Sequence, residues 1–117
     1  MIFYDDIDNN GNYIVNIDAI KNYISNILTT RVGSLPFKRE FGSYLEDYLF
    51  EIPTKLTENK IKLEIYRALS KWLKDIEIKE IQTEFDELTQ EYKVYIEFNI
   101  DKLNNTGVFE TTLKRIT

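Results

Sequence analysis

With no cysteine and no histidine in the chain, catalysis would have to rest on carboxylates, and Glu40, Glu46, Asp47 and Glu51 are the acids gathered around its most irregular segment. Two carboxylates held about 5 Å apart retain, and about 6.5–9.5 Å apart invert, a glycosidic bond. Spacing in sequence does not set that separation, and 20 Asp and Glu among 117 residues make neighbouring acids common. Glu46 has another use, as the partner of Ser43 in an S-x-x-E capping box. A lysozyme-like peptidoglycan glycosidase is therefore the alternative function rather than the first, and no residue is assigned as catalytic. Asp6 to Gly11, DIDNNG, mimics the opening of a calcium loop, where alternate carboxylates converge on the ion. Its twelfth position is Ile17 where a bidentate Glu should stand, so the segment reads as an Asx-type turn. No metal or cofactor is expected, no Gly-rich loop cradles phosphate, and Trp72 reads as core.

The irregular segment itself runs TTRVGSLPFKREFGSYLEDYLFE, residues 29–51. Gly33 and Gly42 can take backbone angles that other residues resist, Pro36 stiffens the centre, and Phe37 and Phe41 are suited to anchor the segment to flanking helices. Arg31, Arg39 and Glu40 either satisfy the loop's own backbone groups and one another, or face a second chain. Residue types leave both readings open.

The elements that must hold this loop follow from apolar spacing. Asp18 is a plausible N-cap, and Ile20, Ile24, Ile27 and Leu28 mark an amphipathic helix over about 18–28. The Ser43–Glu46 box predicts a second helix over about 43–51, closed by Pro53. A third, over about 54–73, carries Leu56, Ile61, Ile65, Ala68, Leu69 and Trp72 on one stripe, with Lys60, Glu64, Lys71 and Lys74 opposite. After Asp75 the period becomes two: Ile76, Ile78, a slip near Lys79 and Glu80 that predicts a bulge, then Ile81 and Phe85. Residues 91–100 alternate without fault, and VFETTLKRI is a third extended segment. The fold class is α+β, N-terminal helices packed on a small C-terminal antiparallel sheet of three strands. One domain covers residues 1–117, with 1–17 an irregular arm in which only Tyr13 to Ile17 alternates like a strand. The last strand is an edge with nothing after it to cover it.

Composition narrows the partners. A formal charge of -5 without a run of Lys or Arg gives no footprint for nucleic acid. No apolar run reaches membrane-spanning length and the start is acidic, so a protein made in the cytoplasm, with no membrane partner, is expected. Aromatics at 14%, eight of them Tyr, exceed what a core of this size hides easily and point to a surface that meets another protein.

Thr30, Arg31, Gly33, Ser34, Pro36, Phe37, Glu40, Phe41 and Gly42, followed by Leu45, Leu49, Phe50 and Glu51, resemble the T-R-x-G-S-x-P-F-x-x-E-F-G...LFE signature of the small baseplate wedge proteins of contractile phage tails. The same family includes sheath-initiator subunits of contractile injection machines and type VI secretion systems. The resemblance spans roughly residues 18 to 116. It departs where relatives carry Glu-Pro-Arg after the long helix, since Leu73, Lys74 and Asp75 stand there.

The resemblance implies a structural baseplate component that is not an enzyme. A loop contributing Arg31, Gly33, Pro36, Phe37, Arg39, Glu40, Phe41 and Gly42 would contact other wedge proteins. Strands carrying Tyr92, Val94, Ile96, Phe98, Val108, Phe109, Thr111 and Leu113 would contact the first ring of sheath subunits by β-augmentation. Tail-tube or hub proteins are further partners it allows, and a free-standing adaptor domain is the other alternative. Removal of residues 104–117 is expected to leave a folded helical part that joins baseplates but fails to start a sheath.

Overall fold

The computed structural model describes residues 4–7, 13–15, 17–74, 76–100 and 105–116. Three helices, α1 (Ile17–Thr29), α2 (Leu45–Leu49) and α3 (Lys55–Trp72), follow two short strands, β1 (Tyr4–Ile7) and β2 (Tyr13–Val15). Three longer strands, β3 (Ile76–Asp86), β4 (Glu91–Ile100) and β5 (Asn105–Lys114), complete the chain. The sheet order is β3-β4-β5, all antiparallel, and among the described residues β1 pairs only with β2, in a sheet of its own. This is the α+β architecture that the change of apolar period predicts.

Within the segment expected to be an irregular arm, β1 and β2 pair antiparallel. The sequence between them, rich in Asp, Asn and Gly, has the composition that reverses a chain between strands. Asp8 to Gly11, the rest of the calcium-like motif, lies outside the described residues, as does Asp75.

The helices bury the faces that hold the loop. α1 places Ile20, Ile24, Ile27 and Leu28 in the core, with Asp18 inside its first turn, where a negative charge favours the helix dipole. α3 starts at a true N-cap: Thr54 is extended, and its hydroxyl accepts the Thr57 N–H at 3.1 Å. Ile61, Ile65, Ala68 and Leu69 of α3 are buried, with Trp72 packed at the margin. Two assignments on this helix change. Leu56 is 64% exposed rather than on the apolar stripe, and Glu64 is only 6% exposed rather than on the solvent side. Glu64 borders Ile61 and Ala68 at helical spacing, and its carboxylate is held by the Tyr44 N–H at the start of α2.

The predicted capping box does not form. α2 begins at Leu45 behind Tyr44, with no side-chain cap. Ser43 is held in a parallel bridge to Arg31, and its Oγ donates to the Leu28 carbonyl at 3.2 Å, so it faces away from the helix it was expected to cap. Glu46 turns instead to Arg31, 3.7 Å away.

One face of the sheet carries Ile76, Ile81, Tyr92, Val94, Ile96, Phe98 and Ile100 into the core beneath the helices. The register shift predicted near Lys79 is present between Ile78 and Glu80. Gly107, opposite Phe98, is where any Cβ would collide with that ring. Phe109 and Leu113 pack on the same core, and the Ile116 N–H donates to the Leu49 carbonyl at 2.9 Å. Removal of 104–117 would therefore strip one wall from the core, which corrects the expectation that the helical part would stay intact without it.

Candidate functional site

Two surfaces gather the residues singled out in the sequence, the loop after α1 and the free edge of β5. The loop satisfies most of its own backbone. Thr30 O accepts from Ser43 N–H at 2.9 Å, Ser43 O from Val32 N–H at 3.3 Å, and Arg39 O from Gly33 N–H at 2.7 Å. Gly33 and Gly42 stand at φ 91° and 116°, and a Cβ at Gly42 would collide with the Thr30 carbonyl, so Gly42 is required by close backbone approach as well as by angle. Arg31 reaches across to α2, with Asp47 at 3.1 Å and Glu46 at 3.7 Å.

The two phenylalanines part company. Phe41 is buried between α1 and α3, stacked on Tyr23 at 5.9 Å and edge-on to Trp72 at 5.0 Å. Phe37, expected as a second anchor, is 99% exposed. Gly33 leaves the chain free to turn outward, and Pro36 and Phe37 ride a turn whose tip touches neither helix. The signature therefore divides: Thr30, Arg31, Gly33, Ser34, Phe41 and Gly42 build the loop, while Pro36, Phe37 and Glu40 stand out from it, as does the side chain of Arg39.

The carboxylates near the loop each face a cation. Glu46 and Asp47 pair with Arg31, Glu51 with Lys60 at 3.1 Å, and Glu40 with Lys71 at 3.5 Å. Sequence reasoning missed Glu64. Its Oε2 accepts the Tyr44 N–H at 2.7 Å, and its two oxygens accept from Arg67 Nε and Nη2 at 2.7 Å each. Burial alone would raise this carboxyl, but the Arg67 guanidinium and the Tyr44 amide outweigh it and hold Glu64 below the ordinary carboxylate range. A group kept ionised in this way joins α3 to the start of α2 and is unsuited to donate a proton near neutral pH. Its signal in the sequence was an acid on the border of an apolar stripe.

On the sheet, Tyr92, Val94, Ile96 and Phe98 are buried on the central strand, between 0 and 2% exposed. Their side chains are core, and of the strand residues only Val108, Phe109, Thr111 and Leu113 lie on an edge strand. In an antiparallel ladder, residues alternate between pairs that exchange both hydrogen bonds and residues whose peptide groups point away. Arg115 N–H donates to Gln90 O at 3.1 Å on the β4–β5 register. The bonded positions of β5 are then Leu113, Thr111, Phe109 and Gly107, and the peptide groups of Val108, Glu110, Thr112 and Lys114 point outward. No strand among the described residues pairs with them. Grooves of about 580 Å³ beside Lys21, Asn22 and Ser25, and about 560 Å³ beside Lys93 and Tyr95, flank the strand and meet at Glu110.

Residues 16–105 match the family model for baseplate wedge protein gp25. Baseplate wedge protein gp25 of Enterobacteria phage T4 is 32% identical over 92 residues, covering 79% of this chain and 68% of that protein. Baseplate protein W of Escherichia phage P2 is 30% identical over 73 residues, covering 62% of this chain and 64% of its own length. Among solved structures, a candidate tail lysozyme from Geobacter sulfurreducens superposes with a TM-score of 0.73 at 24% identity, covering 86% of this chain and 93% of that one. A chain of the type VI secretion baseplate complex gives 0.67 at 16% identity, covering 86% and 94%. A chain of the postcontracted pyocin R2 baseplate gives 0.58 at 18% identity, covering 97% and 98%. At these identities the structural likenesses establish a shared fold. The family model reaches from the start of α1 to β5 and takes in the whole loop, and on that match the chain belongs to the baseplate wedge protein gp25 family.

Proposed function

We propose that this chain is a non-enzymatic baseplate component that seats on other wedge proteins through the loop 30–42 and starts the first ring of a contractile sheath by strand augmentation at β5. It is made in the cytoplasm and built into the particle there. The observation that carries the reading is the row of outward peptide groups on Val108, Glu110, Thr112 and Lys114, which have no strand partner among the described residues. Main-chain pairing at such an edge supplies affinity without a deep pocket, and several copies in a ring make the attachment far tighter than one. The groove beside Lys21, Asn22 and Ser25 leaves room for side chains of an incoming strand.

Phe37 supports the wedge-side role. Its exposed ring forgoes roughly 2 kcal/mol of burial, a stabilisation recovered when a partner covers it. The similarity to chains of the type VI and pyocin R2 baseplates is consistent with assembly beside other baseplate proteins. Nothing in the pairing of Glu40, Glu46, Asp47 and Glu51 favours the glycosidase alternative, because each acid is ion-paired with Arg31, Lys60 or Lys71.

Two variants separate the roles. Thr112→Pro removes an outward N–H without touching a β4 bond, and proline is tolerated on edge strands. It is expected to enter baseplates yet give particles without sheath by electron microscopy. Phe37→Ser is expected to fold and to be depleted from baseplates. Normal sheaths on Thr112→Pro particles would refute the sheath role, and full incorporation of Phe37→Ser would refute the anchor.

A further inference from the structure

The tip of the loop 30–42 carries more than the exposed Phe37. It is braced from behind: Gly33 N–H donates to Arg39 O at 2.7 Å across the neck, Lys38 N–H to Leu35 O at 3.3 Å around Pro36 and Phe37, and Phe41 N–H to Lys38 O at 3.1 Å. Pro36 fixes one more backbone angle, so little ordering entropy is lost when a partner closes on the tip. Leu35, 40% exposed, widens the apolar surface beside Phe37. Lys38 and Arg39 follow directly and are exposed. Among the described residues neither is ion-paired, whereas Arg31 at the base of the loop is held by Glu46 and Asp47. The Lys38 ammonium stands 6.0 Å from the centre of the Phe41 ring, which orients it without neutralising it. Glu40, the one acid in this stretch, lies 3.5 Å from Lys71 and so does not cancel the pair. Two unneutralised positive charges therefore stand beside a bare aromatic ring, on a chain of net charge -5.

We propose that this tip enters an apolar socket of a partner wedge protein whose rim carries carboxylates, Phe37 filling the socket and Lys38 and Arg39 taking the acids. The inference rests on the loop being the wedge-side seat and adds the chemistry of what it seats on. Burying Phe37 draws both cations against the partner, where an unpaired charge is costly, so an acidic rim is selected and a basic one repelled. Arg39 offers a planar fork suited to a bidentate carboxylate, and Lys38 a compact point charge. The family signature leaves positions 38 and 39 open, so these two side chains are free to set which wedge partner this chain accepts. An anionic lipid surface is the poorer occupant, because a single aromatic ring and two cations must hold there a chain that is negative as a whole.

The test adds the labelled full chain to baseplate wedges purified from particles made without it and follows its incorporation. For the parent, the association rate is expected to fall about tenfold as salt rises from about 0.05 to about 0.5 M. The double variant Lys38→Glu, Arg39→Glu, whose melting curve should match the parent, is expected to associate at least about tenfold more slowly at low salt. Lys38→Gln with Arg39→Gln should fall between the two and lose most of the salt dependence. Phe37→Ser reads the seat itself. If Phe37→Ser is excluded while the glutamate variant enters like the parent, the rim is not acidic and the inference fails with the loop still the seat. If Phe37→Ser enters normally, the seat lies elsewhere and both readings fail. Association of the parent at a rate indifferent to salt would overturn the proposal, as would binding to vesicles of anionic phospholipid that is lost in Phe37→Ser, which would give the tip to a lipid surface.

Discussion

The two edges of the three-stranded sheet are built on opposite plans. Along β3 the ladder slips between Ile78 and Glu80, Lys79 sits at the slip, and α3 closes over the far end. There Glu58 takes the outward Phe85 N–H, and its backbone carbonyl accepts from the Thr83 hydroxyl at 2.8 Å. β5 runs ten residues in unbroken register with β4, and among the described residues its outward groups are left open. Bulges, an edge lysine and a covering helix are the usual means of keeping a strand from pairing with a stranger. Their presence on β3 means that the openness of β5 is not a consequence of small size, since the same small sheet has the means to close an edge.

The comparison breaks most completely if β5 is detached from inside. Gly107→Leu would drive a side chain into the Phe98 ring, and a loss of about 3 kcal/mol in denaturant unfolding is expected. Because that change disrupts the core rather than the edge, it should abolish sheath initiation and stability together, in contrast to Thr112→Pro.

A smaller effect belongs to the junction of α2 and α3. Glu64→Gln removes the charge that Arg67 and the Tyr44 N–H were arranged to meet, and about 2 kcal/mol is expected at pH 7. The sign with pH follows from the depressed carboxyl. Its stabilisation is fully present above the ordinary value of 4.5 and is lost as pH falls through the lower, folded-state value. The gap between parent and variant in thermal melts should therefore narrow below about pH 4.5. A gap that stays constant to pH 3 would mean that the carboxylate charge is not the stabilising element.

The smallest effect on stability, and the sharpest test of the edge plan, is deletion of Lys79. It would bring Ile78, Glu80 and Ile81 into strict alternation opposite Phe98, Glu97 and Ile96, straightening the ladder. A stability change under about 1 kcal/mol is expected, with self-association through β3 rising on sedimentation. An unchanged monomer would show that the bulge is not what protects this edge.

Much of this plan was legible in the residues. The change of apolar period after Asp75 marked the sheet, and the doubled polar step at Lys79 and Glu80 marked the bulge, because strand alternation tolerates no extra residue without one. Phe41 and Gly42 read correctly as parts that build the loop. What escaped was decided by tertiary partners. Ser43 and Glu46 satisfy a local capping rule, yet Leu28 O and Arg31 compete for them and win. Phe37 looks like an anchor until the turn at Pro36 carries it away from both helices. Tyr92, Val94, Ile96 and Phe98 alternate as an edge strand's residues would, and nothing local tells a central strand from an edge. Glu58 as a plug for β3 has no sequence signal, since the amide it meets lies 27 residues away.

Amide hydrogen exchange at Val108, Glu110, Thr112 and Lys114 tests the central claim most directly. In the isolated protein these amides should exchange rapidly while those of Phe109, Thr111 and Leu113 are protected by β4, and in baseplates carrying a sheath the first set should become protected too. Protection of the outward set in the free chain, or its continued rapid exchange beneath an assembled sheath, would contradict the account.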